Sequence, residues 1–262
     1  MILILGGTSE SLKIASKLDS LGLEYLITTT TDIQKNEIER ISHKIFVVKF
    51  DEKSLANFVI QNKIDTIIDA THPFAVSIKN LAIDISKKMG FRYIRYERKK
   101  VEMPRNKYVI KVDSLEEAMK RVKNISGNIF VTTGVKELPF IYSFLDSRKD
   151  EIYVRVLPKS DSLKLCENIG IPLSHIIAMV GPFDYEMNFY LINKYNIRIV
   201  ISKESGTTGG LYEKIRSAID NNIYIIIIKA PAIDYPIIVY TIDELVEVLD
   251  SCDRNIKSYK KI

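Results

Sequence analysis

Short, wholly apolar runs alternate with longer stretches whose apolar positions recur at helical spacing. Residues 2–5 read ILIL, and Leu12, Ala15, Leu18 and Leu21 follow on a helix-like pattern. The pattern predicts strands at Ile2–Leu5, Glu24–Thr28, Lys44–Lys49, Thr66–Asp69 and Tyr93–Arg95, and a second helix through Ile78, Leu81, Ala82, Ile85 and Met89. Strands that lack polar alternation are covered on both faces, and intervening helices supply the cover. The expected unit is therefore βαβ in a parallel sheet.

The rhythm breaks at YERKKVEMPRN, residues 96–106, which is polar, contains Pro104 and has no period. A second alternation follows, with strands expected at Tyr108–Val112, Ile129–Thr132, Ile152–Val156, His175–Met179, Ile197–Ser202 and Tyr224–Ile228. Helices are expected near Leu115–Val122, Ser160–Glu167, Asp184–Tyr195, Leu211–Asn221 and Ile242–Leu249. The fold class expected is α/β: two Rossmann-like, doubly wound domains with mainly parallel sheets and an inter-domain cleft. The boundaries read as 1–97 for the first domain and 98–262 for the second, with a basic tail from about residue 251.

Composition narrows the picture a little. With 46% hydrophobic and 27% charged residues in 262, the chain can bury a substantial core. Its formal charge of +5 suits an acidic partner without choosing between nucleic acid and a small polyanion. No aromatic-basic interleaving or groove-reading motif supports nucleic acid. No signal peptide is read, and the apolar run in IYIIIIKAP is too short to span a bilayer, so the expectation is a cytoplasmic protein. Cys166 and Cys252 lie far apart, and with only His43, His72 and His175 no metal site is expected.

Ligands of open α/β sheets bind beyond the carboxyl ends of the strands. Those ends are where this chain concentrates glycine, proline and hydroxyl residues. The first strand runs into Gly6, Gly7, Thr8, Ser9 and Glu10. Two glycines let the backbone approach a pyrophosphate, and the next helix start with the Thr8 and Ser9 hydroxyls can hold its oxygens; a plain capped turn is the alternative. The second strand leads into Thr28, Thr29, Thr30 and Thr31, where NAD-selective sites usually carry an acid. Neutral hydroxyls tolerate a 2′-phosphate, which favours NADPH and leaves NADH open.

The fourth strand ends in DATHPFA. Asp69, Ala70, Thr71 and Pro73 join the cofactor-binding set, with Pro73 expected at the first helical position and Phe74 on the wall of the pocket. His72 is a candidate proton donor near neutral pH, or only a histidine hydrogen-bonded to shape the loop. In the second half, Thr133 and Gly134 end one strand, and SKESGTTGG, residues 202–210, ends another. Lys203 with Gly206, Gly209 and Gly210 reads as a cationic, backbone-rich anion site, with Arg155 and Lys159 near it in sequence; Glu204 is the alternative partner of Lys203.

Taken in order, GGTSES, DATHPFA, TTG, YVRVLP, VGPF with Asn188 after it, SKESGTTGG before Lys214 and Ile215, and KAPAIDYP make the chain similar, almost end to end, to the precorrin-6A and cobalt-precorrin-6A reductases of cobalamin biosynthesis. The resemblance implies a nicotinamide-dependent enzyme that adds a hydride to one carbon of a ring-contracted tetrapyrrole and a proton to its neighbour. The substrate it implies is a polycarboxylate, held by Phe74, Thr133, Gly134, Arg155, Lys203, Ser205, Gly206, Gly209 and Gly210. His72 and Lys203 are the candidate catalytic residues. Two departures stand out. TTTTDIQKN replaces a Gly/Arg-containing segment, and Pro231 follows Ala230 where relatives often have arginine. The residues by themselves also admit a two-domain nucleotide-sugar transferase or a non-catalytic two-lobe binding protein. A monomer or weak oligomer is expected, with no nucleic acid or membrane partner.

Overall fold

ILIL forms β1 (Ile2–Leu5), buried at every position. Its side chains alternate between two cores. Ile2 and Ile4 pack with Ile27, Ile68 and Ile94 beneath Ile14, Ala15 and Leu18. Leu3 and Leu5 pack with Leu26, Ile67 and Tyr93 beneath Leu55, Val59, Ala82 and Ile83. A strand buried on both faces needs no polar alternation, which is why its sequence carries none.

The computed structural model describes residues 1–30, 45–98, 101–206 and 209–259, with side chains through residue 251. The chain divides into two compact units, Met1–Lys99 with Ala232–Ile262, and Lys100–Pro231. In unit 1, β1, β2 (Tyr25–Thr29), β3 (Ile45–Val47), β4 (Thr66–Asp69), β5 (Arg92–Tyr96) and β12 (Ile238–Val239) form one parallel sheet in the order β12-β5-β4-β1-β2-β3. Helices α1 (Ser9–Ser20), α2 (Glu52–Gln61) and α3 (Val76–Met89) connect its strands. Asp51 and Ser54 start α2 with a reciprocal capping box.

In unit 2, β6 (Val109–Val112), β7 (Asn128–Val131), β8 (Ile152–Val156), β9 (Ile176–Ala178), β10 (Ile197–Lys203) and β11 (Tyr224–Ile228) form a second parallel sheet, ordered β6-β11-β10-β7-β8-β9. Its helices are α4 (Leu115–Lys123), α5 (Leu138–Phe144), α6 (Ser160–Asn168), α7 (Tyr185–Lys194) and α8 (Leu211–Asp220). Among the described residues, no helix is long and apolar enough to cross a membrane.

The structure redraws one expected boundary. The sequence reading assigns 98–262 to the second domain, but the chain returns to unit 1 at Ala232. There β12 pairs with β5, and Leu245 and Leu249 of α9 (Ile242–Tyr259) join the core of Ile2 and Ile4. The free edge of β5 and the uncovered apolar surface beside it draw the segment back.

Arg148 stabilises unit 2 locally. Its Nη1 donates to the carbonyls of Val122 (2.8 Å) and Ile125 (2.9 Å), and Nη2 to that of Gly127 (2.8 Å). The Val122 carbonyl is in the last turn of α4 and the other two lie just past its end, where a cation is favoured. Arg148→Ala is expected to cost about 2–3 kcal/mol, read as a lower urea midpoint for unit 2; a loss within error would refute this role.

Candidate active site

In both sheets the strand order reverses at one point, between β1 and β4 in unit 1 and between β7 and β10 in unit 2. Such switch points open a crevice at the strands' carboxyl ends. The sequence motifs map onto both.

At the first, the Gly6 N–H donates to the Thr28 carbonyl at 2.7 Å. A Cβ at Gly6 would lie 2.8 Å from that same oxygen, so only glycine fits. Gly7 has φ +106°, with no atom nearer its would-be Cβ than Thr29 Oγ1 at 3.9 Å. The result is bare, open backbone leading into α1. Thr8 caps that helix by accepting from Ser11 N, and its hydroxyl donates to the Ala70 carbonyl at 2.6 Å, tying the two sides of the switch point together. Ser9 is exposed at the helix start, where N–H groups lack intrahelical partners. These features fit a dinucleotide pyrophosphate. The Glu10 carboxylate pairs with Arg98 at 2.8 Å, which offsets its charge beside an anion site.

DATHPFA has a different internal logic from the one expected. Asp69 is wholly buried and anchors the turn from beneath. Its Oδ1 accepts from Thr71 N at 2.8 Å and Thr71 Oγ1 at 2.6 Å. Its Oδ2 accepts from Lys79 Nζ at 3.1 Å and the Tyr93 hydroxyl at 2.5 Å, while Arg95 Nη1 lies 3.2 Å from Oδ1. Arg95 also donates to the carbonyls of Asp69 (3.1 Å) and Thr71 (2.8 Å). Burial alone would raise the Asp69 carboxyl; Arg95, Lys79 and the hydroxyls of Thr71 and Tyr93 overcome it and hold the group below its usual range. Burial lowers Lys79 to about 8 against the pull of Asp69.

Pro73 precedes α3, which begins at Val76, and does not occupy its first position. Ala75 N donates to the His72 carbonyl at 2.8 Å, so His72–Ala75 is a turn with proline at its second residue, where its fixed φ fits. His72 Nδ1 accepts from Phe74 N at 3.3 Å, which places the neutral ring's proton on Nε2. Ala70, Thr71 and Pro73 are buried; His72 and Phe74 are partly exposed. Thr28 and Thr29 are also buried, so of the described residues in the Thr28–Thr31 run only Thr30 reaches the surface. Thr31 lies outside the described residues, as do Thr207 and Thr208.

At the second switch point, Thr132 N and Oγ1 both donate to the Ile201 carbonyl, holding the end of β7 to β10. The next residue, Thr133, has a buried hydroxyl with no hydrogen-bond partner, and Gly134 turns the chain at φ +91°. Lys203 pairs with Glu137 at 2.5 Å, not with Glu204, which accepts from Ala230 N. Ser205 Oγ donates to the Gly209 carbonyl, and Gly206 and Gly210 both have positive φ in the turn before α8. Arg155 is 7% exposed within β8, and its Nη1 donates to Asn188 Oδ1 at 3.0 Å. Sequence reading missed Lys79, Tyr93 and Arg95 beneath the first site, and Lys214 beside the second.

Comparison with known proteins gives a consistent result. The family model described as "CbiJ: Precorrin-6x reductase CbiJ/CobK" matches residues 1–250. The cobalt-precorrin-6A reductase of Methanocaldococcus jannaschii is 36% identical over 251 residues, 95% of this chain and 97% of the relative. That of Priestia megaterium is 31% identical over 250 residues, covering 95% and 98%. A solved structure of CobK precorrin-6A reductase shares the fold, with a TM-score of 0.78 at 20% identity over 95% of this chain and 96% of that one. The chain belongs to the precorrin-6x reductase family, oxidoreductases of cobalamin biosynthesis that act on a CH–CH bond and use a nicotinamide cofactor.

Proposed function

We propose that the protein reduces cobalt-precorrin-6A to its dihydro (6B) product with NADPH. The observation that carries the reading is the open glycine turn at the β1/β4 switch point, in a chain whose relatives above 30% identity include cobalt-precorrin-6A reductases. A nicotinamide dinucleotide, when bound, supplies the hydride. Gly6, Gly7, Thr8 and Ser9 bind its pyrophosphate through backbone N–H groups and hydroxyls. Thr30 presents a neutral hydroxyl, which accepts a 2′-phosphate without the repulsion an acid would bring. Asp69, Lys79 and Arg95 fix the backbone that presents His72 and Phe74, so little reorganisation is needed when ligands arrive. His72 holds a proton on Nε2 and is the candidate donor to the carbon next to the one reduced. Thr133, Gly134, Lys203, Ser205, Gly206, Gly209, Gly210 and Arg155 bind the tetrapyrrole; the unpartnered Thr133 hydroxyl is one group a ligand would satisfy.

Anaerobic mixing with NADPH is expected to enhance nicotinamide fluorescence with micromolar affinity, about −8 kcal/mol, and more strongly than NADH does. Addition of cobalt-precorrin-6A is expected to consume NADPH stoichiometrically. Failure to bind either nicotinamide would end this reading. His72→Ala is expected to slow proton delivery and alter the pH–rate profile, and an unchanged profile would remove His72 from the chemistry.

A further inference from the structure

The glycine turn of unit 1 carries an acid beside the place where an anion would bind. Glu10 is the second residue of α1 and lies on its buried stripe with Ser11, Ile14, Ala15 and Leu18. It is 7% exposed. A helix N-terminus favours negative charge, and the Glu10 carboxylate draws on the same field that a pyrophosphate at Gly6–Ser9 would use. Like charges set side by side at a binding site are costly, so an uncompensated Glu10 would work against the turn it belongs to.

Arg98 supplies the compensation from outside the helix. Its Nη2 donates to Glu10 Oε2 at 2.8 Å, and the two side chains are 10% and 9% exposed, so solvent screens the pair little. The same oxygen accepts from Ser9 Oγ at 3.3 Å, so Glu10 also holds a hydroxyl of the turn. Tyr96 of β5 stands near this carboxylate: burial raises its phenol, and the charges of Glu10 and of Glu244 on α9 add to that. Arg98 is placed in turn by the segment that returns to unit 1. The N–H groups of Arg95 and Glu97 donate to the carbonyls of Ile237 and Val239, both at 2.8 Å, so β12 fixes the end of β5. Glu97 Oε2 accepts from Arg95 Nε at 3.1 Å, and its Oε1 accepts from Arg95 Nη2 at 3.3 Å and from the Arg98 N–H at 3.0 Å. Contacts therefore run without a break from Asp69 through Arg95, Glu97 and Arg98 to Glu10, and join the DATHPFA turn to the GGTSES turn.

We propose that Arg98 is a positioning residue for the cofactor: it neutralises Glu10, and through Glu10 it holds Ser9, which leaves the N-terminal field of α1 to the dinucleotide's pyrophosphate. The return strand β12 keeps Arg98 in place. The inference rests on the cofactor reading given above. Arg98 acts through Glu10 and does not itself hold the ligand.

Fluorescence titration with NADPH, without tetrapyrrole, tests this role. Arg98→Met keeps an apolar stem and removes the charge, and it is expected to weaken NADPH binding by about tenfold, the scale of a charge at a partly buried helix end. Glu10→Gln keeps an acceptor for Ser9 and Arg98 and removes the opposing charge. Alone it is expected to tighten binding by about threefold or more. Combined, the two substitutions are expected to bind within about threefold of wild type. In turnover, Arg98→Met is expected to raise the KM for NADPH and leave kcat unchanged, a split that a general loosening of unit 1 would not produce. A folded Arg98→Met protein that binds NADPH like wild type would overturn the proposal. So would a loss that Glu10→Gln leaves in full, since Arg98 would then hold the ligand itself. Should Arg98→Met not fold, Glu10→Gln alone decides, and an unchanged or weaker affinity would overturn the proposal equally. If Gly6→Ala weakens NADPH binding while Arg98→Met does not, only the role of Arg98 fails; if neither weakens it, the cofactor reading of the turn fails as well.

Discussion

Asp69→Ala is expected to destabilise unit 1 by about 3–5 kcal/mol, because removing the shared carboxylate leaves Lys79 buried without a counter-charge and Arg95 with Glu97 alone. Two cations, Lys79 and Arg95, would then share a site in which each is at most 1% exposed, and the Tyr93 hydroxyl would lose its acceptor. The loss would appear as a lower urea midpoint for the unit 1 transition, with the signal of unit 2 unchanged. Adding Lys79→Met to Asp69→Ala should recover part of the loss, since one orphaned charge is then gone. The pH dependence follows from the depressed carboxyl of Asp69. Its contribution is present above the unfolded carboxylate value, about 3.9, and is lost as pH falls through the lower value of the folded protein. A destabilisation below about 1 kcal/mol, typical of an exposed pair, would show that the group does not act as a unit.

Gly6→Ala is expected to reduce nicotinamide-dependent turnover by about 100-fold, the scale on which a displacement near 1 Å acts. The added Cβ would meet the Thr28 carbonyl at 2.8 Å, Ser11 Oγ at 3.1 Å and Ile27 Cγ1 at 3.3 Å. The first of these belongs to the β2 backbone and already accepts from Gly6 N–H, so β1 and β2 must separate where the turn begins. The expected signature is a large rise in the NADPH dissociation constant with tetrapyrrole affinity unchanged, because the two groups of residues lie in different units. Unaltered NADPH binding in Gly6→Ala would show that the turn has no part in holding the cofactor.

Much of this was readable in the sequence because the chain's local signals agree with its fold. ILIL and YIIII are strands whose unbroken apolar character announces burial on both faces, and the glycine and hydroxyl residues after ILIL and TIID gather at the strands' carboxyl ends, the side on which open α/β sheets hold ligands. The buried ionic groups were harder to see. Lys79 and Lys214 each look like one more charge on an amphipathic helix, yet each stands on the apolar stripe, Lys79 with Ala82, Ile83 and Ser86, and Lys214 with Leu211, Ile215 and Ala218. Their phase was the available signal. The counter-charge, Asp69, lies ten residues from Lys79 and is joined to it only by the fold. The return of the chain to unit 1 was not legible, since β12 is two residues long and its pairing depends on which sheet edge is open.

That return has a consequence for how the protein is made. All six strands of unit 2 lie between residues 109 and 228, so the whole of its sheet leaves the ribosome before β12 and α9 do. A domain translated without interruption can fold as soon as it emerges, whereas one completed by a distant segment must wait. Unit 2 is therefore the first to finish in vectorial synthesis, although unit 1 holds the N-terminus. Until β12 arrives, the nascent β5 keeps an open edge, the kind of edge along which chains pair with one another.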